Sequence, residues 1–95
     1  MLRAYYDSDY ENVYYDISDI KSLLNYSSNK KNYFEKSLKD SNVPIYDWII
    51  EGTEMRMICK KDLHSFLSYY QDNLSDKLKS RHEVPQNLWI HCYKE

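Results

Sequence analysis

A chain of 95 residues makes one small domain with a thin core, so a deep substrate cavity would compete with that core for the same side chains. Hydrophobic residues at 42% and charged residues at 29% exclude a disordered chain, a single Gly leaves little for phosphate-cradling loops, and no stretch is apolar enough to cross a bilayer. A net charge of −2 runs against the basic footprint of a DNA-binding domain.

Residues 2–6 and 12–17 are predicted strands, and the turn formers Asp7, Ser8 and Asp9 between them predict a hairpin. Ser18 is placed to cap a helix, with Asp19 in its first turn beside the positive end and Ile17, Ile20, Leu23 and Leu24 at helical spacing. The run Asn25-Tyr26-Ser27-Ser28-Asn29 breaks that helix, and a second is predicted over 30–40 with Tyr33, Phe34 and Leu38 inward. Pro44 marks the start of a strand at 44–50, a second β-rich run covers 54–59, and Gly52 between them supplies the positive φ of a tight turn. The stripe Leu63, Phe66, Leu67, Tyr70, Leu74 and Leu78 predicts a helix from about 61 to 80. After Pro85, residues 87–93 alternate and are predicted to form a last strand. The expected fold is a single α+β domain over residues 1–95: a small single-layer, mainly antiparallel sheet packed by two to three helices, in the order β-β-α-α-β-β-α-β. Its expected core holds Trp48, Ile50, Leu63, Phe66, Leu67, Leu88 and Ile90.

No residue pattern points to catalysis. Cys59 with His64, and His91 with Cys92, are the only cysteine–histidine neighbours, and neither has the paired spacing of a zinc site. A cysteine nucleophile would need a base and backbone oxyanion donors, which nothing local supplies. Asp16 and Asp19 are paired carboxylates, but Asp19 is better explained as a helix-start charge. The expectation is therefore no enzyme activity, no metal, no cofactor and no disulfide. The N-terminus lacks the apolar run of a secretory signal, which predicts a soluble, cytoplasmic protein with reduced thiols.

The charge map carries more information. Residues 1–20 sum to −4, residues 21–42 to +3 and residues 43–59 to −2. An acidic hairpin is followed by a basic helical pair. Tyr is abundant, with 11 residues, and a tyrosine suits a surface that is wet when free and covered when bound. Carboxylates flanked by tyrosines can fill a cleft built for phosphate. Tyr6, Asp7, Asp9, Tyr10, Glu11 and Tyr15 are accordingly the candidate contact residues for a host protein with a basic surface, such as a nucleic-acid-binding enzyme.

Two resemblances bear on function. The order of elements over residues 14–67 resembles a winged helix-turn-helix. Tyr14-Tyr15-Asp16-Ile17-Ser18-Asp19-Ile20 leads into Leu23-Leu24. The turn Tyr26-Ser27-Ser28, a helix at 30–40, a β-wing at 45–58 and Lys60-Lys61-Asp62-Leu63 before Phe66-Leu67 follow. Excisionases and viral BRO-type DNA-binding domains are similar in that order. The resemblance implies a recognition helix at 30–40 that carries Asn29, Lys30, Lys31, Asn32 and Lys36 toward duplex DNA. In size and composition the chain also resembles small phage anti-defence proteins, including anti-CRISPRs, and immunity proteins. That likeness implies a non-enzymatic inhibitor encoded by a phage or mobile element. The acidic balance ranks the inhibitor first and the winged-helix DNA-binding regulator, or excisionase-like accessory factor, second.

Overall fold

The computed structural model of the protein describes residues 2–24, 31–73 and 84–93. Its elements are β1 (Ala4–Asp7), β2 (Asn12–Asp16), α1 (Ile17–Leu24), α2 (Lys31–Asp40), β3 (Tyr46–Ile50), β4 (Thr53–Cys59), α3 (Lys60–Asp72) and α4 (Gln86–Tyr93). The four strands form one open antiparallel sheet in the order β1-β2-β4-β3. The α+β class expected from the sequence is the class observed.

Alternation along the strands sends two different sets of side chains to the two faces. Tyr15 and Ile58 point to the helices and join Ile17, Ile20, Leu24, Phe34, Leu38, Leu63, Phe66, Leu67, Tyr70, Val84 and Leu88 in the main core. Tyr14, Met57 and Cys59 point the other way, where Tyr5, Trp48 and Met55 pack against them. The Tyr14 ring lies 4.8 Å from that of Trp48 and 5.5 Å from that of Tyr46, so this second cluster is largely aromatic.

Several expectations need correction. The last segment is the helix α4, not a strand. In so short a run both periods fit: Leu88 and Cys92 are one turn apart in a helix and also alternate. Pro85 settles it, because its carbonyl accepts the first helical hydrogen bond, from the Leu88 N–H at 2.9 Å. Ile90 then turns away from the core and is 50% exposed. Trp48 and Ile50 are only half-buried, since they lie on the face of the sheet away from the helices. Ile17 opens α1 and does not end β2. The cap of α1 is Asp16, whose Oδ1 accepts hydrogen bonds from both the Ser18 N–H and the Ser18 hydroxyl at 2.8 Å. Helix α3 closes at Asn73, whose backbone and side-chain N–H groups both donate to the Tyr69 carbonyl. The breaking run Asn25–Asn29 and the expected extension of α3 through Leu74 and Leu78 lie outside the described residues.

Candidate protein-docking surface

Strands β1 and β2 are joined by the loop Ser8–Glu11, with Asp7 paired to Asn12 at its base. Asp7 Oδ1 accepts the Asp9 N–H at 3.0 Å, the local turn that favours Asp here. Tyr6 and Tyr10 are 64% and 75% exposed. Asp9 and Glu11 are exposed and Asp7 is half-buried. Among the described residues none of these three carboxylates has an ion-pair partner. Glu11 holds φ at 54°, a left-handed conformation that Gly or Asn adopts more readily. Tyr15 does not belong to this surface. It points into the helical core and is buried, with its ring 5.5 Å from that of His91, and burial raises its hydroxyl pKa.

The rest of the N-terminal negative charge is compensated. Arg3 donates to both Asp19 oxygens, at 3.0 and 3.2 Å, and to Asp16 Oδ2 at 3.1 Å. Burial pushes the Asp19 carboxyl up, but the Arg3 hydrogen bonds and charge outweigh it and the net direction is down. The acidic field of residues 1–20 is thereby confined to Asp7, Asp9 and Glu11. Arg3 is the only cation before Lys21, and that isolation was the available signal for its role.

A second ion cluster ties α1, α2 and β4 together. Arg56 donates to both oxygens of Glu35, at 2.9 and 3.1 Å, and Lys21 Nζ donates to Glu35 Oε2 at 3.0 Å. The Arg56 hydrogen bonds, helped by Lys21, lower the Glu35 carboxyl from 4.5 to about 2. A depressed carboxyl adds stability that is fully present above its ordinary pKa and is lost as pH falls toward the folded value. The side chain is 41% exposed, so screening limits the contribution to about 1–2 kcal/mol. Glu35→Gln should destabilise the domain by that amount at neutral pH. The gap from the parent should close as pH falls from 4.5 toward 2. Denaturation midpoints across that range check it, and a gap that stays constant with pH would reject it.

The positions implied by the winged-helix resemblance distribute unevenly. Asn29 and Lys30 lie outside the described residues, Lys31 and Asn32 fall in the first turn of α2, and Lys36 is exposed. The turn between β3 and β4 carries Glu51 and is followed by Glu54, both exposed. Lys21 and Arg56 are bound to Glu35.

Cys59, His64 and Cys92 do come together, lining a cavity of about 470 Å³ with Glu11, Lys60 and Lys61. Among the described residues no group of three or more His, Cys, Asp and Glu side chains has the arrangement to hold a metal ion. Burial raises the Cys92 thiol to about 11, so it is protonated and a poor nucleophile at neutral pH. The His64 ring lies 5.5 Å from that of Trp89. Among the described residues the most exposed tyrosine rings are those of Tyr6 and Tyr10, at and beside the β1–β2 loop of this small α+β scaffold. Comparison of the chain with protein-family models, curated proteins and solved structures finds no match.

Proposed function

We propose that this chain is a non-enzymatic protein-binding inhibitor that seats the β1–β2 loop in a basic cleft of a nucleic-acid-handling host protein. The observation that carries the reading is the exposure of Tyr6 and Tyr10 beside three carboxylates that have no ion-pair partner among the described residues. Two large rings in water gain apolar contact when covered, and the adjacent Asp7, Asp9 and Glu11 supply the field that a cation-lined cleft attracts. Glu11 adds support. A non-glycine residue in the left-handed region costs about 1 kcal/mol, and a carboxylate retained there is consistent with selection for its charge. The DNA-binding alternative ranks lower because its wing would bring Glu51 and Glu54 against phosphate.

The test is charge reversal of Asp7, Asp9 and Glu11 to Lys in a protein used as bait in nuclease-treated host lysate. Surface changes of this kind move stability by less than about 1 kcal/mol each. The variant should melt close to the parent and lose the captured partner, and the parent's association rate should fall as salt rises. A variant that melts normally and captures the same partner equally well would defeat the proposal.

A further inference from the structure

We propose that the free edge of β3 is a strand-addition site for an extended partner segment that carries an apolar residue flanked two positions away on each side by Lys or Arg. The site lies on the opposite edge of the sheet from β1 and does not rest on the reading of the β1–β2 loop.

Among the described residues, strand β3 pairs with β4 alone. The hairpin joining them has Ile50 opposite Thr53 and only Glu51 and Gly52 between, with φ of 50° and 80°. That is a two-residue turn of the mirror-image type, in which the flanking pair is hydrogen-bonded and the bonded pairs then alternate. Ile50, Trp48 and Tyr46 therefore direct their backbone groups to β4. Asp47 and Ile49 direct theirs to the open edge. An incoming antiparallel strand meets two N–H donors and two carbonyl acceptors already spaced for it.

The side chains define what that strand must carry. Ile49 is 72% exposed on the face of the sheet that bears the helices, so no described helix covers it. Two cavities, of about 630 and 500 Å³, flank this face and share Asp47 and Arg56 in their walls. A residue opposite Ile49 is best apolar. One of the positions two residues away falls opposite Asp47 and the other comes beside the turn residue Glu51, both exposed, with Glu54 beside Ile49 on β4. Arg56 sits nearby, but its hydrogen bonds go to Glu35. Residues 46–59 thus present a net charge of −2 to the visitor. A second copy of this chain would bring the same carboxylates against them, so charge selects a cationic segment over self-pairing.

The experiment titrates the isotope-labelled full chain with the capped peptide Thr-Lys-Thr-Val-Thr-Lys-Thr, following backbone amides by NMR and hydrogen exchange. The Asp47 and Ile49 amides should shift and exchange more slowly as peptide is added. The same peptide with Glu for Lys should bind about tenfold or more weakly. Ile49→Pro removes an outward donor without breaking a bond to β4, and should abolish the effect. Asp47→Lys, Glu51→Lys and Glu54→Lys combined should invert the preference between the two peptides, which holds the test open if the proline variant misfolds. Equal binding of both peptides would overturn the proposal. So would shifts that avoid β3, or protection of Asp47 and Ile49 that rises with protein concentration in the absence of peptide.

Discussion

Replacing Phe66 by Ala should lower the free energy of unfolding by about 3–5 kcal/mol. Phe66 has no exposed surface and stands at the crossing of α3 with α2. Its ring meets that of Phe34 edge-on at 5.5 Å and lies 6.2 Å from that of Tyr70. Truncation removes apolar contact, breaks the edge-to-face pair and leaves a cavity whose walls are held by α2, α3 and the sheet. A domain of this size has a total stability on the order of 5–10 kcal/mol, so the variant should sit near its unfolding midpoint at moderate temperature. Ile90→Ala is the control. Its side chain is half-exposed on α4, and the loss there should stay under about 1 kcal/mol. Urea denaturation of both variants gives the comparison. A Phe66→Ala variant as stable as the parent would mean that α3 does not pack as described.

The difference between those two residues shows what periodicity can and cannot reveal. Leu63, Phe66, Leu67 and Tyr70 repeat over a long enough stretch that only a helix puts them on one face, and all four are buried. Leu88, Ile90 and Cys92 span too few residues to separate a period of two from one near four, and the hydrogen bond to the Pro85 carbonyl decides between them. Trp48 and Ile50 expose a different limit. Alternation shows that Tyr46, Trp48 and Ile50 share a face, but not which face the helices cover. The exposed edge at Ile49 was hidden for the same reason: strand order depends on which hairpin joins which, and local pattern does not contain it. On the candidate docking surface, Asp9, Tyr10 and Glu11 are exposed as their turn setting implies, and Tyr6 is exposed on the edge strand β1. Tyr15 is lost to the core because it follows Tyr14 on a strand with both faces covered. The charge map counted Asp16 and Asp19 as free field. Whether a carboxylate is free depends on where Arg3 folds back, thirteen and sixteen residues away.

Asp16→Ala should cost about 2–3 kcal/mol, well beyond an ordinary surface substitution. The side chain is buried at the point where β2 becomes α1. One oxygen receives the Ser18 N–H and hydroxyl at 2.8 Å, which satisfies a backbone donor that the first turn of any helix leaves unpaired. The other receives Arg3 at 3.1 Å, holding the chain before β1 against the start of α1. Alanine removes both contacts and leaves the Ser18 donors without their partner at a part-buried site. Asn keeps an oxygen with the same reach and caps about as well as Asp, so Asp16→Asn should lose only the charge of the Arg3 contact. That guanidinium is more than half exposed and keeps its two hydrogen bonds to Asp19, which limits the loss to under about 1 kcal/mol. Denaturation of the two variants in parallel separates the cap from the ion pair. If Asp16→Asn falls as far as Asp16→Ala, the charge of Asp16 rather than its capping oxygen holds α1 to the sheet. Ser18→Ala, which loses only the hydroxyl contact to that oxygen, would then be expected to leave stability unchanged.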